Sequence, residues 1–277
     1  MDQVIIGFAK VGNIGSAPLI EFILDERAER EDIDALVFGS GSKLTPKHAT
    51  DIAEKVCEPK PNLIILTTPN ASLPAPMKAM EKFKEKGIPA VVVSDSPAKR
   101  ALEKIEELGM GYIIVESDAM IGARKEFLDT VEMSLFNADV IRVLSITGVF
   151  NILMNEIDGL VESIKKGKAL NLPKIVVNSE VSVSAANFQN PYAKAKAAAA
   201  FEMAERVGKL SVEGCFKQKD WKQYTTTVAT AHELIRTAAK LADEAREIEK
   251  SNDAVFRNPH SKDGTRSEKR KLMEKPK

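Results

Sequence analysis

Glu116, Asp118, Glu126, Asp129 and Glu132 crowd one short stretch of the chain, together with Met120, Gly122 and Arg124. Carboxylates so close can bind a metal, move protons, or simply solvate the start of a helix. Metal binding is not expected, because none of His48, His232 and His260 has a partner at ligand spacing. No Gly-x-Ser-x-Gly, His-Glu-x-x-His or Walker loop is present. His232 falls beside an apolar helical stripe, where a half-buried, satisfied histidine is commoner than a catalyst. An acid/base set and a solvated helix start both remain open for these carboxylates.

A second set of function-capable groups lies earlier. Lys10 to Ser16 is nearly a dinucleotide fingerprint, with Gly12 and Gly15 in its second and third positions but Lys10 in the first. Glycines there let backbone approach a ligand, and the following helix N-terminus favours an anion. The bland alternative is a tight turn with close helix packing. Gly39 to Ser42 ends the next strand with small donors and no carboxylate, where an NAD site places Asp or Glu for the adenosine ribose. NAD is therefore disfavoured. Thr67 to Asn70 and Ser94 to Ser96 supply further donors, although ordinary capping explains any one of them as well as ligand contact does.

The elements that must position these groups read as alternating strands and helices. Strands are expected at Val4 to Phe8, Ala35 to Phe38, Leu63 to Leu66, Ala90 to Val93 and Gly111 to Val115. Helices are expected from the Gly15 turn to about Arg30, around His48 to Cys57, from Pro76 to Lys86, and from Ser96 to Leu108. Each strand is continuously apolar, as burial on both faces of a parallel sheet requires. The fold class is α/β, a doubly wound, mostly parallel, Rossmann-like sheet, followed by a helical domain with a small antiparallel β segment. The boundary is placed at residue 124, giving an α/β cofactor-binding domain over 1–124 and a helical domain with an extended tail over 125–277. Ligands of open α/β sheets bind at the carboxyl ends of strands, which puts the active site at the loop after Val115.

Beyond that loop, Met133, Phe136, Val140, Val143 and Leu144 recur at helical spacing. Helices are expected at Ile152 to Lys166 and from Asn190-Pro191 through Val207. A last long helix is expected from about Val228, with Ala231, Leu234, Ile235, Ala238, Leu241, Ala245 and Ile248 as its apolar stripe. Lys174 to Val177 reads as an isolated strand and Ser211 to Phe216 as another. The tail after Ser251 reads as irregular, wrapping part of an assembly or disordered.

Composition narrows the function. Forty basic and forty acidic residues leave no net charge to draw the chain onto nucleic acid or anionic lipid, and the single tryptophan offers no stacking platform. Cys57 and Cys215 form no Cys-x-x-Cys and read as reduced thiols. Met1 to Gln3 lead straight into a strand, so no secretory leader is expected, and no apolar run reaches the roughly 20 residues of a membrane span. The expectation is a cytoplasmic enzyme using a non-adenine cofactor.

The stretch from Gly111 to Asp129 closely resembles the F420-dependent methylenetetrahydromethanopterin dehydrogenases. Lys10 to Gly15, Asn190 to Ala193, Ser211 to Phe216, Leu241 to Glu247, Ser251 to Val255, Pro259-His260 and Lys269 to Glu274 also match. The likeness covers essentially the whole chain and is weaker at 43–60 and 165–186. It implies an archaeal one-carbon enzyme that moves a hydride reversibly between the methylene bridge of tetrahydromethanopterin and carbon 5 of the deazaflavin coenzyme F420. It also implies a hexamer built as a trimer of dimers, with no metal and no bound flavin. Read with the resemblance, Lys10, Gly12, Asn13, Gly39, Ser40, Thr68, Pro69, Asn70, Ser94, Asp95, Met120, Gly122 and Arg124 become cofactor-binding candidates. Asp118, Glu126 and Asp129 become candidates for the pterin side and its cation. An NAD(P)-dependent dehydrogenase of a related carrier and a non-catalytic ligand sensor are the alternatives.

Overall fold

Val- and Ile-rich runs bounded by glycine, proline and small polar residues form strands when helices can cover both of their faces. The computed structural model describes residues 3–26 and 29–277. They fall into two compact units. The first takes the described part of Met1–Val115 with Leu153–Val176 and Pro259–Ser267; the second takes Glu116–Ile152, Val177–Asn258 and Glu268–Lys277.

In the first unit the chain runs β1 (Val4–Lys10), α1 (Ser16–Leu24), β2 (Ile33–Gly39), α2 (Pro46–Cys57), β3 (Leu63–Thr68), α3 (Pro74–Lys86) and β4 (Ala90–Asp95). A 3₁₀ turn (Ser96–Ala101), α4 (Leu102–Glu107) and β5 (Gly111–Val115) follow. The sheet order is β2-β1-β3-β4-β5-β6, where β6 is Lys174–Val177. The β1–β2, β1–β3, β3–β4 and β4–β5 pairs are all parallel. Every residue of β3, β4 and β5 is buried, whereas edge strand β2 alternates and leaves Val37 44% exposed. Continuity of apolar residues therefore marks burial on both faces only for the inner strands. The doubly wound α/β architecture expected from the sequence is present.

Several expectations need correction. α1 stops at Leu24 rather than near Arg30, and residues 27–28 of the expected helix lie outside the described set. Lys174–Val177 is neither isolated nor antiparallel. The amides of Tyr112 and Glu116 donate to the carbonyls of Pro173 and Val177 at 2.7 and 3.1 Å, so β6 extends the sheet in parallel beyond β5. Antiparallel pairing is limited, among the described residues, to the bridges Arg257↔Lys269 and His260↔Arg266 in the tail.

The tail is irregular but pinned. His260, 3% exposed, lies with Nδ1 2.7 Å from Glu26 and Nε2 2.9 Å from Asp158. Arg30 forks onto Asp32 at 2.9 and 3.0 Å, and Lys165 reaches both Asp32 and the Asp263 carbonyl.

The remaining helices are α5 (Thr130–Thr147), α6 (Val149–Lys165, which passes from the second unit into the first at Leu153), α7 (Ser179–Ala185), α8 (Pro191–Val212) and α9 (Trp221–Ser251). Phe136, Val140, Val143 and Leu144 are the buried face of α5. Buried alanines on α8 and α9 let these two helices pack closely in the second unit. α9 starts seven residues before Val228, because Asp220 accepts from the Gln223 amide at 2.9 Å and caps it. Ser211 to Phe216 is not a strand: α8 continues through Val212 into a π turn, Glu213–Lys217. No single helix among the described residues is long and apolar enough to cross a membrane.

Candidate functional site

β1 and β3 are neighbours in the sheet but not consecutive in the chain, and the strand order reverses between them. Connections leave such a pair toward opposite faces, opening a crevice at the strands' carboxyl ends. The loops gathered at this edge of the first unit are those after β1, β2, β3 and β4. Lys10, Gly39, Thr68, Ser94 and Asp95 end these strands, and Gly12, Asn13, Ser40, Pro69 and Asn70 lie in the loops beyond them.

Gly12 turns the first loop at φ +81°, and a Cβ there would stand 3.0 Å from Pro69 Cδ. Glycine is thus required twice, by the backbone and by the contact with the loop after β3. The Gly12 amide donates to Ser40 Oγ at 3.1 Å, and Val11 N donates to Thr67 O at 2.9 Å. Asn13 is exposed at the turn. Lys10 Nζ pairs with Glu21 at 2.5 Å, and its Cε lies 3.4 Å from where a Gly39 Cβ would stand. The carboxyl end of β2 therefore meets a lysine stem, and Gly39 and Ser40 themselves supply no carboxylate there.

On the other side, Ser94 Oγ donates to Thr68 O at 2.7 Å and accepts from Ala71 N at 3.2 Å. Asn70 Oδ1 accepts from the Ser72 amide and hydroxyl at 3.0 and 2.6 Å. Asp95, 4% exposed, accepts from Ser96 N at 2.6 Å. The Thr67 and Thr68 hydroxyls are buried with no partner among the described residues. Unanswered hydroxyls are costly inside a protein and suit a ligand that completes them.

The acidic loop belongs to the second unit and holds Asp118, Met120, Gly122, Arg124, Glu126 and Asp129. Asp118 is fully buried, whereas Glu126 and Asp129 are exposed. Asp129 caps α5, accepting from Glu132 N at 2.7 Å. A Gly122 Cβ would come within 2.8 Å of Val228 Cγ1, so this glycine serves close packing against α9. Arg124 donates from Nε to Gly214 O at 3.1 Å, and its guanidinium lies 4.2 Å over the Tyr224 ring. Burial, and then the Glu126 carboxylate, push the Tyr224 phenol above its ordinary pKa. No group of three or more metal-ligating side chains occurs among the described residues.

A model of the methylene-5,6,7,8-tetrahydromethanopterin dehydrogenase family matches residues 4–277. The chain belongs to this family. Curated relatives from Archaeoglobus fulgidus and Methanocaldococcus jannaschii are 54% and 52% identical over 98% of each chain. Both are named F420-dependent methylenetetrahydromethanopterin dehydrogenase. A solved structure of such a dehydrogenase, in complex with methylene-tetrahydromethanopterin and coenzyme F420, is 44% identical and covers 100% of both chains, with a TM-score of 0.97.

Two features of this family member are not visible from motifs. The π turn presents the Gly214 carbonyl to Arg124, and Tyr224 carries that guanidinium. Tyr224, Val228 and His232 recur every four residues, a helical face that was there to be read. His232 is less satisfied than its sequence position suggests. Glu132 holds Nδ1 at 2.9 Å, Phe127 and Phe136 flank the ring at 4.8 and 4.5 Å, and Nε2 is buried without a partner among the described residues.

Proposed function

We propose that this protein transfers a hydride reversibly between methylenetetrahydromethanopterin and coenzyme F420, leaving methenyltetrahydromethanopterin and the reduced coenzyme. The observation that carries this reading is the full-length match, at TM-score 0.97, to a dehydrogenase solved with both molecules. An NAD(P)-dependent enzyme or a non-catalytic sensor has no comparable support.

The deazaflavin supplies the hydride-accepting carbon; the chain's task is placement and electrostatics. The switch-point loops of the first unit suit the coenzyme. Gly12 and Pro69 would let backbone approach it closely, Asn13, Thr68 and Asn70 offer side-chain donors, and Lys10 offers a cation. In the second unit, Arg124 ties the loop that carries Met120 and Gly122 to the π turn through Gly214 O and to the Tyr224 ring. We assign Asp118, Glu126 and Asp129 to the pterin and to the positive charge that forms on it, with buried Asp118 foremost. A fixed carboxylate in a water-poor environment favours that charge more strongly than water does.

We further place the enzyme in the archaeal cytoplasm as a hexamer. Supporting the assembly, each unit keeps large apolar side chains at its surface: Phe22 and Val37 in the first, Leu135, Tyr192, Phe216 and Trp221 in the second. Light scattering should report an oligomer; a fully active monomer at micromolar concentration would refute this. The activity itself is tested by mixing protein, methylene-carrier and oxidised F420 without NAD(P) or added metal. Rapid loss of the oxidised coenzyme's absorbance is expected. Turnover with NADP comparable to that with F420 would overturn the assignment.

A further inference from the structure

β1 and β3 flank the switch point, and each hands its chain to a loop that leaves the ladder, the β1 loop only after Val11, whose amide still reaches Thr67 O at 2.9 Å. In both cases a serine from the next strand outward supplies the missing partner. Ser40, just past β2, accepts from the Gly12 amide at 3.1 Å and donates its hydroxyl to Lys43 O at 2.7 Å, while its own amide donates to Lys10 O at 3.0 Å. Ser94, paired with Thr68 across β3 and β4, donates to Thr68 O at 2.7 Å and accepts from Ala71 N at 3.2 Å. Ser94 is fully buried, and the proton of each hydroxyl is already committed to a carbonyl. The two loops then meet through Gly12, whose backbone is at φ +81°, and Pro69, whose Cδ would lie 3.0 Å from any Cβ placed on Gly12.

We infer that Ser40 and Ser94 are a matched pair of positioning residues: they brace the Gly12 and Thr68–Asn70 loops from either side of the switch point and set the shape presented to the coenzyme. This rests on the hydride-transfer reading above but assigns these serines a role different from ligand contact. The Ser94 hydroxyl holds its loop by two bonds, to Thr68 O and from Ala71 N, and the Ser40 hydroxyl holds the Gly12 loop by one, from Gly12 N, so the loss of either frees its loop in the absence of any ligand. Loop freedom is then an ordering cost charged to coenzyme binding and not to the hydride step.

The test uses Ser94→Ala, Ser94→Thr and Ser40→Ala in the full chain, with hydrogen exchange of ligand-free protein over residues 67–73 and 11–16, and steady-state kinetics with F420. Ser94→Ala should lose exchange protection at 67–73 before any ligand is added and raise the KM for F420 about tenfold, with kcat within about twofold. Ser94→Thr, which keeps the hydroxyl, should restore both. Ser40→Ala, at a half-buried loop position where folding is safer, should do the same at 11–16. Raised KM with unchanged exchange in the ligand-free protein would overturn the inference in favour of direct contact. Unchanged KM in both alanine variants would overturn it as well. Absence of F420 turnover in the unaltered protein is a different result: it would refute the activity, and the exchange measurements would still decide the bracing.

Discussion

Asp118 and Asp129 bracket what a carboxylate of the acidic loop can be. Asp118 is fully buried, a position a charge holds only if its surroundings answer it. Asp129 is exposed and engaged as a helix cap. Asn caps as well as Asp, so Asp129→Asn should change melting little, a few tenths of a kcal/mol at most, while the loss of its charge should slow turnover less than at Asp118. Asp118→Asn should leave F420 affinity nearly intact and reduce kcat on the order of a hundredfold, about 3 kcal/mol of transition-state stabilisation. Glu126→Gln should fall between, because it removes the charge beside Tyr224. Turnover and coenzyme affinity measured on each variant decide the matter. Near-normal turnover in all three variants would reduce the loop to scaffolding.

Among elements, the inner strands and α5 follow directly from apolar continuity and helical spacing, while the misread segments share a physical cause. The first turns of α9 are polar, so its stripe announces it late, although Asp220 followed by Gln223 is a capping pattern that marks the true start. Ser211 to Phe216 has strand-favouring residues, but Gly214 must approach Val228, and the chain meets that need with a π turn. β6 is too short for its partner to be inferred from four residues of pattern. The candidate site was legible as small donors at strand ends. Which way their hydroxyls point, into the loops or toward a ligand, is set by register and could not be read. Packing of the acidic loop on α9 is testable at the same scale. Gly122→Ala forces a Cβ to 2.8 Å from Val228 and should cost about 1–3 kcal/mol, lowering melting temperature and activity together. Val228→Ala in the same chain should recover part of that loss; no recovery would contradict the contact's importance.

For the whole molecule, the tail's attachment to the first unit is an electrostatic device. His260 faces Glu26 and Asp158 on its two ring nitrogens, with Arg30 and Arg266 nearby on Asp158. Burial alone disfavours the imidazolium, but the bonds to Asp158 and Glu26 outweigh it, and the pKa of His260 is raised. A raised folded-state value means that the stabilisation is complete below the unfolded pKa of about 6.5 and fades as pH climbs through the folded one. His260→Gln should therefore lower the melting temperature by about 5 °C at mildly acidic pH and by progressively less in alkaline buffer. An offset independent of pH would contradict this. The central claim, direct hydride passage from one carrier to the other, is best tested with methylene-carrier deuterated at the bridge and unlabelled F420 in ordinary water. Deuterium retained at carbon 5 of the reduced deazaflavin is the predicted result; protium at carbon 5, with the label released to solvent, would contradict it.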